Sequence, residues 1–411
     1  MNTRRSLIPI IISALFTSSC GIKLIFPTPM PELSAPPVEG EGSAPPLDAS
    51  AEEILIESMT PAGVCSVKKE IEKLDCYNFD GDLISSIQVP GIASTNPQGL
   101  HLAGSASSGT AMPVAYSSWS PEQSLIKSEN GTVLNLRRTN SFYAMVGVPE
   151  EPILVFSDVV FENSIPNSYL YSDALINLGS SEPFFEMKDP KMQMVLMPVA
   201  VEAEGSRAGK VWFTHSAWEF SGEERIFPTN SGLFIFDIKN GQNIQALGAE
   251  RSFQGLSPDR SLAGSTSIDL KGDHSMQVID LLTGRKIEFP LDPASDRGAG
   301  YTVFSIDSKY AAWVESSGSL VAGPSEFKTR IRIGNIETGA VIQELDSSSA
   351  LKALNWEWIS FMRPVGWLDS QTLIVEVHAG DPKIAALIKF DVFNGNIKLL
   401  AEGSFAGFSY P

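Results

Sequence analysis

The sequence predicts an all-β fold of consecutive four-stranded sheets. Three observations predict it: a glycine-tipped hairpin phrase that recurs four times, a second phrase that alternates with it, and a C-terminus that stops one strand into a further copy. The hairpin phrase is Asp or Asn, an aliphatic residue, any residue, Asn or Thr, then Gly. It reads Asp237-Ile238-Lys239-Asn240-Gly241, Asp280-Leu281-Leu282-Thr283-Gly284, Asn335-Ile336-Glu337-Thr338-Gly339 and Asp391-Val392-Phe393-Asn394-Gly395. Apolar runs such as Leu233-Phe234-Ile235-Phe236 precede it, and β-rich runs such as Val341-Ile342-Gln343-Glu344-Leu345 follow. Gly supplies the positive φ of a tight turn at no steric cost, and Asn-Gly between two such runs is a strong hairpin signal. The leading Asp or Asn is placed to hydrogen-bond turn backbone. Asp237, Asp280 and Asp391 are therefore read as turn chemistry rather than catalysis.

The second phrase reads Leu256-Ser257-Pro258-Asp259-Arg260-Ser261-Leu262-Ala263 and Phe304-Ser305-Ile306-Asp307-Ser308-Lys309-Tyr310-Ala311, with looser copies at residues 366–374 and 119–126. Each reads as a strand, a tight turn and a second strand. The landmarks alternate along the chain as Asp259, Gly284, Asp307, Gly339, Asp369 and Gly395. Chance yields one short phrase easily, but not a regular alternation of two. Periods of roughly 40–50 residues with strand-turn-strand content are those of β-propeller blades. The expected fold is a β-propeller of about seven four-stranded blades, with six the alternative. The tail Phe405-Ala406-Gly407-Phe408-Ser409-Tyr410-Pro411 reads as the opening strand of another copy. A ring must close or leave strand edges open, so the N- and C-terminal segments are expected to pair, the last strand being completed by strands from the N-terminal side, near residues 82–102.

The Ser-Pro-Asp phrase followed by the Asp-aliphatic-x-Thr-Gly hairpin resembles the repeats of TolB-type and WD-repeat-like bacterial propellers. The resemblance is clear over residues 230–411 and fainter over 100–230, where Pro149-Glu150-Glu151-Pro152-Ile153-Leu154-Val155-Phe156 and Lys210-Val211-Trp212-Phe213 read as degenerate blade strands. It implies the fold and leaves function open, because propellers host unrelated activities on one scaffold.

Residues 1–19 read as a targeting segment. Arg4 and Arg5 precede an apolar stretch over residues 7–16, too short to span a bilayer as a helix. Thr17-Ser18-Ser19-Cys20-Gly21 resembles the cleavage region of a bacterial lipoprotein signal, although such signals usually carry Leu at the position of Thr17. The resemblance implies cleavage before Cys20 and lipidation of its thiol; an ordinary secretory peptide with a chance cysteine is the alternative. Residues 20–60 read as a tether. Pro27, Pro29, Pro31, Pro36, Pro37, Pro45 and Pro46 punctuate a stretch that lacks the apolar side chains to form a core. At about 3.1 Å per residue, about 30 such residues reach roughly 90 Å. Setting Cys20 aside leaves Cys65 and Cys76, and an even remainder in an exported chain reads as a disulfide. Metal binding by the two thiols is the rival reading. The pair lies in a segment, residues 61–100, that leads into the ring at 101–411. Residues 65–76 are the one clear helical candidate.

The net charge of −18 opposes binding of nucleic acid and of anionic headgroups. His101, His215, His274 and His378 are far apart and lack metal-binding spacing, and no His-Glu-x-x-His or Gly-x-Ser-x-Gly motif is present. Asn78-Phe79-Asp80-Gly81-Asp82 begins like a calcium loop but lacks the later Gly and the distal Glu, and reads as a turn. No metal, cofactor or catalytic residue is expected. Two stretches break the repeat: residues 215–229, with Trp218, and residues 347–361, with Trp356 and Trp358. Propellers carry function on such loops, and aromatic side chains dominate binding hot spots; packing between blades is the alternative for any one of these Trp. The expectation is a monomeric, lipid-anchored propeller on the extracytoplasmic side of a bacterial envelope, binding a protein or glycan without catalysis. The alternatives are an exported hydrolase or lyase acting on carbohydrate or peptide, and a structural envelope component.

Overall fold

The computed structural model describes residues 63–68, 73–88, 114–116, 125–129, 132–137, 142–147, 153–162, 165–174, 182–188, 194–202, 209–217, 227, 229–267, 275–319, 326–379 and 384–409. All lie in the compact unit Leu47–Pro411. The targeting segment, Cys20 and the tether lie outside them. The described residues form twenty-six strands and one helix. The strands β1 (Gly63–Lys68), β2 (Lys73–Asn78) and β3 (Leu83–Gln88) come first, then a three-stranded sheet of β4 (Val114–Tyr116), β5 (Leu125–Glu129) and β6 (Thr132–Arg137). A four-stranded sheet follows, from β7 (Phe142–Gly147), β8 (Ile153–Glu162), β9 (Ile165–Ala174) and β10 (Phe185–Lys188). A seven-stranded sheet takes β11 (Met194–Glu202), β12 (Lys210–Ala217), β13 (Asn230–Asp237), β14 (Gln242–Leu256), β15 (Leu262–Ser267), β16 (Ser275–Asp280) and β17 (Lys286–Pro290) in chain order. Two more four-stranded sheets hold β18 (Ala299–Phe304), β19 (Tyr310–Ser317), β20 (Lys328–Asn335) and β21 (Ala340–Asp346), then β22 (Ile359–Trp367), β23 (Thr372–Ala379), β24 (Ala385–Asp391) and β25 (Ile397–Glu402). The last strand, β26 (Ser404–Ser409), returns to β1, giving the order β26-β1-β2-β3.

The seven-stranded sheet is two four-stranded units that share β14. The first part of β14 follows β13 from Gln242 to Leu247, and the second follows β15 from Arg251 to Leu256. The hydrophobic clusters then pack each unit on the next. One joins Leu170 to Leu196, Phe213 and Phe236; the next joins Trp212, Leu233 and Ile235 to Ala263 and Ile279. Met276, Val278 and Phe289 pack on Ala311 and Trp313, and Val314, Ile331 and Ile333 pack on Met362, Val375 and Phe390. The series ends where Ile374, Leu387 and Leu400 of the last full sheet meet Val64 of β1, with Phe405 and Phe408 of β26 packed against them. Because middle strands are covered on both faces, β19 and β23 are buried almost throughout, whereas the outer strand β17 alternates exposed and buried.

The repeat turns owe their form to backbone chemistry. Gly241, Gly284, Gly339 and Gly395 take φ of 71°, 71°, 69° and 70°. Each Gly N–H donates to the carbonyl of the Asp or Asn four residues earlier, at 2.8–2.9 Å. The Asp280 carboxylate accepts from the N–H groups of Leu282 and Thr283, and Asp391 from those of Phe393 and Asn394. Asn240 and Asn394 do not take positive φ. The tip is therefore a five-residue turn with one left-handed residue, rather than a two-residue Asn-Gly turn. Nothing lies within 4 Å of a Cβ built on Gly284, so its substitution tests backbone conformation alone. Gly284→Ala is expected to lower stability by about 1 kcal/mol and Gly284→Asn by less, since Asn tolerates the left-handed region. Equal losses in denaturant titrations would contradict this reading.

In the second phrase, Ser257 Oγ donates to Asp259 Oδ1 (2.6 Å) and accepts from Leu262 N–H (2.8 Å). Ser305 repeats the pattern with Asp307 and Tyr310, at 2.7 and 2.9 Å. Arg260 and Ser308 turn the chain with φ of 62° and 54°. Burial pushes the Asp259 and Asp307 carboxyls up, but hydrogen bonds led by those from Ser257 and Ser305 outweigh it and hold both below the ordinary range. At the looser copy, Asp369 Oδ1 accepts from the N–H groups of Gln371 and Thr372. Residues 119–124 lie outside the described residues.

One expectation is corrected and a second refined. Residues 65–68 and 73–76 are strand, not helix: β1 and β2 pair antiparallel so that Cys65 directly opposes Cys76, and the two are disulfide-bonded. The charged run from Lys68 to Lys73 suits a helix, but pairing of β1 with β26 and burial of Val64, Val67 and Leu74 override that local preference. The C-terminal strand pairs directly with β1, and β3, the described part of residues 82–102, joins the same sheet at its far edge. β1 is buried along Gly63–Val67 and fits between two strands, whereas β3 is an outer edge that leaves Leu83 53% exposed. Replacing both cysteines by serine is expected to lower stability by about 3 kcal/mol; a loss below about 1 kcal/mol in thermal unfolding would contradict a structural role for the bond.

The stretch at 347–361 is not a plain loop. It contains α1 (Ser347–Leu354), capped by the Asp346 carboxylate, which accepts from Ser349 N–H at 2.7 Å, and ended by Asn355 at φ 53°. Ala350 is buried, and Leu351 and Leu354 pack on the core beneath. Asn78 Oδ1 accepts from Asp80 and Asp82 N–H, so residues 78–82 are an ordinary turn.

Candidate functional site

β22 and β23 pair so that Arg363 opposes Glu376 and Phe361 opposes His378. Glu376 is fully buried in the mostly apolar strand β23. Its Oε2 lies 2.5 Å from Arg363 Nε. Its Oε1 lies 3.1 Å from His378 Nε2 and accepts the backbone N–H of Phe405, in β26, at 3.0 Å. Burial pushes the Glu376 carboxyl up, but the Arg363 charge and the His378 hydrogen bond outweigh it and hold the group at about 2. The same ion pair raises Arg363 against the opposing effect of its own burial.

Tyr301 completes the cluster from the neighbouring sheet. The first strands of successive sheets lie against one another, β14 beside β18 and β18 beside β22. The β18–β19 register shifts between Gly300 and Val303, a bulge that re-aims the intervening side chains. Tyr301 sits in that bulge at φ 54°, a sparsely populated conformation for an aromatic residue, with its N–H donated to Gln254 Oε1 at 3.2 Å. A Cβ on Gly300 would come within 2.6 Å of the Phe227 ring, so only glycine lets that ring approach. Tyr301 meets Phe361 edge-on at 5.8 Å, Phe361 lies 6.5 Å from His378, and the Arg363 guanidinium stands 6.0 Å from the Tyr301 ring centre. Tyr301, Phe361, Arg363 and His378 are each half-buried. Together they form a contiguous patch of two aromatics and two basic side chains over one ionised carboxylate.

Two other buried carboxylates are spoken for by the protein. Glu315 accepts from Trp313 Nε1–H (3.0 Å), Ser295 Oγ–H (2.7 Å) and Asp292 N–H (3.1 Å), and pairs with Arg332 at 3.4 Å. Glu202 accepts from Trp212 Nε1–H at 2.9 Å, with Arg260 Nε 3.6 Å away. These groups stitch sheets and loops together. Among the described residues no group of three His, Cys, Asp or Glu is placed to hold a metal ion, and no helix is long and apolar enough to cross a membrane.

Of the residues singled out in the sequence, Trp356 packs half-buried against the core that Tyr301 and Phe361 also touch, and Trp358 is exposed. Trp218, His101 and His274 lie outside the described residues. The Arg363 cluster escaped the sequence reading. Its signal was Glu376 and His378 at alternate positions of an apolar strand, since an ionisable residue in a buried run needs a partner.

These features define a class: an all-β protein of antiparallel, propeller-like sheets in series, whose last strand joins its first hairpin. Solved structures similar to it include TolB from Acinetobacter baumannii, with 13% identity over 82% of this chain and 78% of that one and a TM-score of 0.39. Also similar are an oligogalacturonate lyase in complex with manganese (11% identity, 84% and 85% covered, TM-score 0.46) and a puromycin-hydrolyzing peptidase of Mycobacterium tuberculosis (12% identity, 84% and 54% covered, TM-score 0.49). No family model matches the sequence, and no curated protein matches it.

Proposed function

We propose that this chain is a non-enzymatic, lipid-anchored recognition propeller of the bacterial envelope, binding a protein or glycan partner at the Arg363 cluster. One observation carries the reading. A general base works best with a pKa near the operating pH, whereas Glu376 is held at about 2 and its oxygens already serve Arg363, His378 and Phe405. The cluster is built to present a fixed charge and aromatic surface, and Tyr and Arg are the residues that dominate binding hot spots. The ring has seven blades. Six come from the four-stranded units above, the first of them completed by β26, and the seventh is the sheet of β4–β6. The resemblance at Cys20 supplies the anchor, and residues 20–60 the tether.

Purified chain, from which the targeting segment has been removed, applied to glycan arrays and peptide libraries while product release is followed tests this. Saturable binding without product is expected, weakened at least tenfold by Arg363→Ala. Turnover that disappears in Glu376→Gln would sink the proposal. Radiolabelled palmitate should enter the full chain and not the Cys20→Ser variant.

A further inference from the structure

We propose that the Arg363 cluster takes a carboxylate carried beside an apolar face, with the guanidinium holding the carboxylate and the rings of Tyr301 and Phe361 holding its neighbour. The inference rests on the recognition function above and names its ligand chemistry. Glu376 engages only Nε of Arg363, at 2.5 Å, and neither Nη1 nor Nη2 makes a hydrogen bond among the described residues. The bond at Nε fixes the plane of the guanidinium and leaves its two terminal amino groups as a fork. Such a fork matches the two oxygens of a carboxylate. Arg363 is only 15% exposed at its side chain, so an anion bound there is partly desolvated and its ion pair strengthened.

The charge present favours a monoanion. Arg363 is already balanced by Glu376, and the chain carries −18 overall, a field that opposes a phosphate dianion more than a single carboxylate. The apolar half of the ligand follows from the rings: Tyr301 and Phe361 meet edge-on at 5.8 Å and are both half-buried. The bulge that holds Tyr301 in a left-handed conformation places its ring against the guanidinium, at 6.0 Å. Strain of this kind persists only where surrounding structure imposes it, and it gathers at binding sites.

Two carboxylate sources fit the chemistry, an amino-acid carboxylate and a uronic acid, and the test separates them. The purified chain is titrated with N-acetylphenylalanine, its neutral amide, glucuronate and glucose, following side-chain resonances of arginine and of Tyr301 by NMR. Saturable shifts with one or both acids, at least tenfold weaker with the matched neutral compound, are expected. Arg363→Lys should weaken acid binding by about tenfold, because a point charge replaces the fork. Phe361→Leu, which leaves the ion pair alone, should weaken N-acetylphenylalanine more than glucuronate. Equal response to acid and neutral probes, or no saturable shift with either acid at 50-fold molar excess, overturns the inference. Library binding that survives Arg363→Ala overturns it while leaving the recognition function standing. Acid binding without any library partner does the reverse.

Discussion

Truncation after Gly403 is expected to abolish cooperative folding. The change removes β26, and with it the partner of β1 from Gly63 to Val67. It also removes Phe405 and Phe408, which pack against Val64, Ile374 and Leu387, and the backbone donor to Glu376. Each half-buried aromatic contributes about 1–2 kcal/mol through its area alone, and the exposed edge of β1 becomes a template for pairing with other chains. Since domains of this kind are stable by only about 5–15 kcal/mol, the truncated chain is expected to be soluble only as aggregate or as a non-cooperative state. Phe408→Ala alone should cost about 2 kcal/mol, below the range for a fully buried Phe, because its half-buried ring lies over Gly366, where a Cβ would come within 2.5 Å of it. A sharp, near-native unfolding transition in the truncated chain would show that β1 does not depend on β26.

The second large effect is at Glu376. Glu376→Ala is expected to destabilise by about 3–5 kcal/mol, the range for removing one member of a buried ion pair. It strands the Arg363 charge and leaves Phe405 N–H without its acceptor. Arg363→Met/Glu376→Leu should recover part of the loss, because the stranded charge goes while the Phe405 donor stays unpaired. The pH dependence has a definite sign. The folded carboxyl is lowered from 4.5 to about 2, so the contribution is complete above the unfolded value and is lost as pH falls through that window. The stability gap between wild type and Glu376→Gln should therefore narrow between pH 4.5 and 2. A constant gap across that range, measured by urea unfolding, would contradict the assignment.

What the sequence made legible follows range of interaction. The repeat turns were readable because each is closed within five residues, by a glycine φ near 70° and an Asp or Asn side chain that reaches two or three residues on. The disulfide was readable from cysteine parity, once the N-terminal stretch is read as an export signal. The hairpin of β1 and β2 was misread as helix because its strand character depends on β26, more than three hundred residues away, as the pairing of Cys65 with Gly407 illustrates. The Arg363 cluster needed two pieces of register that no local pattern supplies. One is the pairing of β22 with β23, interrupted by bulges; the other is the bulge that turns Tyr301 toward it from the preceding sheet. Trp356 and Trp358 were chosen because they interrupt the repeat, but the interruption is mainly a capped helix whose inner face packs on the core.

The central structural claim is that the C-terminal strand is an integral member of the first sheet. Native-state hydrogen exchange measures this most directly. The hydrogen-bonded amides of residues 64–67 and 405–408 are expected to exchange only through global unfolding, with the same free energy and denaturant dependence as those of β23. Exchange at residues 405–408 within seconds, independent of denaturant and well ahead of β23, would show a frayed end and contradict the account.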